Sequence, residues 1–210
     1  MSIQKFELRL TEYLDRHNHI TDEGYELLNH AITEVLKHAE EFECEEILAF
    51  ATSAIREANN GNEIIEKLQK THEIELQILS GDEEAQLTFL AARRWLGWSS
   101  GRLLVLDIGG GSLEMAVGND ESASSTLSLP IGAGRMTREF LTGDPYTGKS
   151  IKALTQFSRE QISQSVSGEL LLHQADRIVA TSKTFRTLAR LTDHWYSDSA
   201  KTLEHSALVA

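Results

Sequence analysis

The sequence predicts an α/β protein of two domains, and three observations carry that prediction. Residues 46–79 run strand, helix, strand, the pattern of a parallel layer. Residues 97–101, Gly-Trp-Ser-Ser-Gly, read as a linker. Beyond it, residues 102–117 run strand, triple-glycine turn, strand, and open a second sheet. The expected domains are therefore 1–99 and 100–210.

Taken in order, residues 21–42 place Tyr25, Leu28, Ile32, Val35, Leu36 and Ala39 on one helical face, with Thr21 as N-cap. Asp22 and Glu23 suit the first turn of that helix. Residues 46–51 form a short apolar run expected to be a buried parallel strand. The polar turn Thr52 to Gly61, a helix near 62–71 and a strand near 73–79 follow. Ser80-Gly81-Asp82-Glu83 has the form of a capping box that opens a helix reaching about Trp95. In that register Glu83 caps the helix and Glu84 is left unassigned.

The second half reads β-β-β-α-α-β-α, with strands flanking the glycines, a third near 125–131 and a helix from about Arg135 to Leu141. Ser158-x-x-Gln161 is a second capping-box form, with Ile162, Val166 and Leu170 on one face. A strand over 176–181 and a final helix carrying Phe185, Leu188 and Ala189 complete the pattern. Trp95, Trp98 and Trp195 are expected to pack in the core or at the boundary, and His17 and His19 to be solvated.

Composition sets outer bounds. No apolar run approaches the roughly 20 residues that span a bilayer, and no charged-then-apolar leader opens the sequence. The one cysteine, Cys44, has no disulfide partner, so the expectation is a cytoplasmic protein without membrane contact. Residues 1–90 hold 20 acids against 7 Lys/Arg, so all of the excess negative charge behind the net −12 lies there. That balance argues against nucleic-acid binding, which needs a basic surface.

The chemistry gathers at Asp107-Ile108-Gly109-Gly110-Gly111-Ser112-Leu113-Glu114. Three glycines permit positive φ and close approach of backbone N–H groups to an anion, beside which Asp107 would hold hydrated Mg²⁺. A plain hairpin with a glycine bulge is the alternative reading.

Four further blocks, in order, bear on the choice: Ala51-Thr52-Ser53-Ala54-Ile55-Arg56 with Asn60; Ile78 to Ala85; Leu127 to Arg135; and Ala180 to Phe185. With the glycine stretch they resemble the exopolyphosphatase and guanosine pentaphosphate phosphohydrolase (Ppx/GppA) family. That family lies within the actin-like (ribonuclease H-like) two-domain ATPase superfamily. The resemblance implies hydrolysis of a terminal phosphoanhydride, with inorganic polyphosphate or guanosine pentaphosphate as substrate and Mg²⁺ as cofactor.

It further implies Glu84 as the residue that positions water, with Glu83 as runner-up, and Asp107 and Glu114 as the acids associated with the metal. Arg56, Thr52, Ser53, Gly109, Gly110, Gly111 and Ser112 would contact phosphate, with Arg135 and Lys183 weaker candidates. Leu113 departs from the family's threonine. The family's opening strand, first phosphate loop and two further strands have no counterpart before Phe6, so the first domain is expected to lack its leading strands. An exposed strand edge and low stability follow from that expectation. A noncatalytic phosphate or nucleotide sensor, an inactive fragment of that family, and an actin-like sugar or acetate kinase are the rival readings. Oligomeric state is left open, a homodimer included.

Overall fold

The computed structural model describes residues 6–168, 170 and 175–191, so Trp195 lies outside the described residues. The chain divides into two compact units between Ser80 and Gly81. That division falls earlier than the linker predicted at residues 97–101, because the helix over Gly81–Leu96 buries its apolar face on the second sheet.

In the first unit, α1 (Asp22–Glu41) starts as expected, the Thr21 hydroxyl accepting from the Gly24 N–H at 3.3 Å. Strands β1 (Ala49–Ala51) and β2 (Leu76–Ile78) pair in parallel, and the polar turn between them contains a single-turn helix α2 (Ser53–Arg56) before α3 (Gly61–His72). Tyr25, Leu28, Ile55, Ile64, Ile65 and Leu68 form the core between these helices and the strand pair. Asn60 holds the α2–α3 corner. Its side chain accepts from the Ile20 N–H at 2.8 Å and donates to the Ile20 carbonyl at 2.9 Å, copying a strand pair without being one.

The expectation of a buried strand over residues 46–51 needs correction. Only residues 49–51 are strand, and Ile47, Leu48 and Phe50 are 44%, 71% and 48% exposed. Among the described residues β1 pairs with β2 alone, so one edge stays open beside an apolar groove of about 370 Å³.

The second unit holds α4 (Gly81–Leu96), β3 (Leu103–Ile108), β4 (Leu113–Gly118), β5 (Ser125–Leu129), α5 (Ala133–Phe140), α6 (Gly148–Ser165), β6 (Arg177–Thr181) and α7 (Ser182–Leu191). The sheet order is β5-β4-β3-β6, with β3 antiparallel to β4 and parallel to β6. Strand alternation gives each face its own core. Leu103, Val105, Ala116 and Val179 meet Ala85, Phe89 and Ala92 of α4 on one face. On the other, Leu113, Leu129, Ile131 and Met136 pack with residues of α5 and α6.

Two further expectations change. The Ser158-x-x-Gln161 form lies inside α6, whose start is capped by Thr147, its hydroxyl accepting from the Ser150 N–H at 3.1 Å. Trp95, near the end of α4, and Trp98, in the short turn that follows it, are 77% and 62% exposed. Among the described residues no helix is long and apolar enough to cross a membrane.

Arg93 sits four residues after Phe89 on the buried face of α4 and is 1% exposed. Its guanidinium donates to the carbonyls of Gly118 at 3.0 Å and Asp120 at 3.2 Å and to the Ser100 hydroxyl at 2.9 Å. Arg93→Met keeps the apolar stem and strands those acceptors. We expect a loss of about 2–4 kcal/mol in urea unfolding, from the usual cost of buried groups left unpaired. Unchanged unfolding would show that the clamp contributes nothing.

Candidate active site

The site is built by strand register. Asp107 of β3 stands opposite Glu114 of β4, Glu114 opposite Ser128 of β5, and Asp107 opposite Thr181 of β6. These four side chains therefore form one row across the sheet, on the face that α4 covers. Along β3 that face reads Leu103, Val105, Asp107, so the row lies where the apolar core ends.

Each outer hydroxyl donates to its neighbouring carboxylate. Ser128 Oγ meets Glu114 Oε1 at 3.0 Å, and Thr181 Oγ1 meets Asp107 Oδ2 at 2.7 Å. Like charges directly opposite on a sheet repel. Neither acid pairs with a lysine or arginine among the described residues.

Glu114 is 3% exposed, and burial is the first reason its carboxyl is held above the usual carboxylate range. The Ser112 hydroxyl, next in weight, favours the charged form, though it stands outside hydrogen-bonding geometry. The Glu84 charge then raises the value, the Ser128 hydrogen bond lowers it, and the Asp107 charge raises it again. Glu84 is thus within electrostatic reach of Glu114 and half-buried, whereas Glu83 is exposed. Both lie in the first turn of α4.

A raised carboxyl pKa makes the folded state favour the protonated form, so wild-type stability falls as pH rises through that raised value. Glu114→Gln, neutral throughout, is expected to match wild type in acid. It should melt higher than wild type at neutral pH without divalent cations. A lower melting temperature at neutral pH would contradict the assignment.

The glycine turn is shaped by α5. Gly132, Ala133 and Arg135 donate their N–H groups to the carbonyls of Gly111, Gly109 and Gly110 at 3.0, 2.9 and 3.0 Å. Trans peptide planarity then turns the N–H groups of Gly110, Gly111 and Ser112 to the opposite side. The expected positive φ is not found there, being confined among glycines to Gly97, Gly101 and Gly143. Close approach is what the turn requires instead. A Cβ on Gly132 would lie 2.4 Å from Gly111 C and Ser112 N. The Ser112 hydroxyl is buried without a hydrogen-bond partner, an open donor beside the row.

Leu113 packs with Leu129 and Met136 on the opposite face, so its missing hydroxyl does not fall in the row. The Arg135 side chain is half-buried at the start of α5, where burial pulls its guanidinium pKa down. Beyond the turn, a cavity of about 490 Å³ is lined by Gly109, Gly110, Ser182, Lys183, Thr184 and Leu188, among others. In the first unit, Arg56 donates to the Leu79 carbonyl at 2.7 Å and lies 3.8 Å from Glu57. Part of its fork thus braces the chain leaving β2. Thr52 is exposed at the start of α2, and Ser53 is buried.

Ser128 and Thr181 are not among the residues singled out for chemistry from sequence. Their signal was alternation: each lies on the strand face that elsewhere carries core or site residues.

The four-stranded mixed sheet, with a glycine turn between its central antiparallel strands and helices on both faces, places the second unit in the α/β class. Within it, a sequence model of the Ppx/GppA phosphatase family matches residues 1–207, and the chain belongs to that family. It is 47% identical over 192 residues to Exopolyphosphatase 1 of Mycobacterium tuberculosis, covering 91% of this chain and 56% of that protein. The chain thus spans a little over half the length of the curated relatives it matches.

The crystal structure of the Aquifex aeolicus Ppx/GppA family member matches at a TM-score of 0.68 and 27% identity, over 90% of this chain and 60% of that one. An exopolyphosphatase from Cytophaga hutchinsonii shares the fold at a TM-score of 0.76 and 23% identity, over 87% and 59%.

Proposed function

We propose that the chain carries exopolyphosphatase-type chemistry, releasing terminal phosphate from inorganic polyphosphate, with guanosine pentaphosphate as the alternative substrate. The observation that carries this reading is the Asp107–Glu114 pair, opposed across the sheet at the mouth of the glycine turn and uncompensated by any lysine or arginine among the described residues. Such a pair suits a hard divalent cation.

The donor set fits Mg²⁺. Two carboxylates are what Mg²⁺ typically takes from a protein, the rest of its octahedron coming from water and phosphate oxygens. No group of three or more His, Cys, Asp or Glu side chains set to hold a metal ion by themselves is found among the described residues. Asp107 and Glu114 would hold the ion, which when bound neutralises phosphate oxygens as charge develops.

The chain's own groups supply the rest. The N–H groups of Gly110, Gly111 and Ser112 and the Ser112 hydroxyl donate to phosphate oxygens, and Arg135 adds charge. In the first unit, Arg56, with Thr52 and Ser53, is a group of the kind that binds phosphate. Glu84 orients a water and takes one of its protons. The water oxygen bonds to the terminal phosphorus, the bridging P–O bond breaks, and the shortened chain departs with that oxygen's electron pair.

Phosphate release by the purified chain with Mg²⁺, from polyphosphate and from guanosine pentaphosphate in parallel, tests the reading. Turnover of either supports it and picks the substrate. Binding without turnover would replace it with the sensor reading.

A further inference from the structure

We propose that Ser128 and Thr181 are positioning residues that aim the Glu114 and Asp107 carboxylates at a single cation, a role that rests on the function proposed above. The row Ser128, Glu114, Asp107, Thr181 places a hydroxyl on the outer flank of each acid. A carboxylate alone on a strand rotates freely about its last bond. Here one oxygen of each is held from the outside, Oε1 of Glu114 by Ser128 at 3.0 Å and Oδ2 of Asp107 by Thr181 at 2.7 Å. The remaining oxygens, Oε2 of Glu114 and Oδ1 of Asp107, are not engaged by either hydroxyl. Partners of this kind orient ligating side chains and raise their affinity for metal.

Both hydroxyls are themselves fixed by the fold. Ser128 packs against the backbone of Gly81 at the start of α4, where a Cβ on Gly81 would stand 2.3 Å from Ser128 Cβ and 2.5 Å from its Oγ. The absence of a side chain at Gly81 lets Ser128 sit there, beneath the turn that carries Glu84. Thr181 is the last residue of β6, whose parallel pairing with β3 sets it opposite Asp107. The central pair is thus held from α4 on one side and from β6 on the other.

The test is direct binding of Mn²⁺, a spectroscopic stand-in for Mg²⁺, to the whole chain, followed by electron paramagnetic resonance without substrate. Wild type is expected to bind one ion. Ser128→Ala and Thr181→Val should each weaken binding about tenfold or more. Thr181→Ser, which keeps the hydroxyl, should stay within about twofold of wild type. Melting curves of the metal-free variants identify any that fail to fold, and the Thr181 pair carries the comparison if Ser128→Ala does. Equal affinity in wild type, Ser128→Ala and Thr181→Val overturns the positioning role while leaving Asp107 and Glu114 as ligands. Absence of a bound ion in wild type overturns the ligand reading as well.

Discussion

Glu84→Gln is expected to release phosphate from polyphosphate roughly 10²–10⁴-fold more slowly than wild type, the usual yield of a positioned general base. The loss should fall on kcat, because the substitution removes a proton acceptor and no phosphate contact. Glu83→Gln is the matched control. Its side chain shares the first turn of α4 but is exposed, while Glu84 is half-buried and its charge is felt at Glu114. The control should retain most of the wild-type rate. Equal losses in the two variants, or none in Glu84→Gln, would take Glu84 out of the chemistry.

Asp107→Asn tests the other half of the site. The amide oxygen can still accept from Thr181, so the fold around β3 and β6 should stand, but one of the two proposed anionic ligands is gone. We expect the Mg²⁺ concentration for half-maximal phosphate release to rise at least tenfold. The rate at saturating polyphosphate should fall roughly 10²–10⁴-fold, in line with several kcal/mol of charge stabilisation. An unchanged Mg²⁺ requirement would place the cation elsewhere.

How much of this was legible in the sequence depended on the range of the interactions. Asp107 and Glu114 stood out because they bracket a glycine turn, and a hairpin across seven steps of chain puts them opposite each other by local geometry. The order of elements in the second unit follows in the same way from period and turn chemistry. Thr181 falls within the Ala180 to Phe185 block yet takes no role of its own from sequence, because its partnership with Asp107 depends on parallel pairing across 74 residues. Ser128 depends on a β4–β5 register that its own block does not encode.

The domain boundary was drawn at Gly97–Gly101 by composition, yet α4 shares a core with Leu103 and Val105 and so belongs to the second sheet. Arg93 was missed for a related reason. On a helix read by apolar spacing, an arginine at the Phe89 face looks like surface charge until Gly118 and Asp120 arrive from another element. The start of α6 shows the converse error. A capping-box form recurs by chance inside an exposed helix, and Thr147 carries the actual cap.

The measurement that bears most directly on the account is a crystal of the chain grown with Mn²⁺ and tripolyphosphate, with anomalous scattering used to locate the metal. The account predicts a peak between the Asp107 and Glu114 carboxylates, with phosphate oxygens completing its coordination and the chain end lying against Gly110, Gly111 and Ser112. A metal bound away from that pair, or a tripolyphosphate held without contact to the glycine turn, would contradict it.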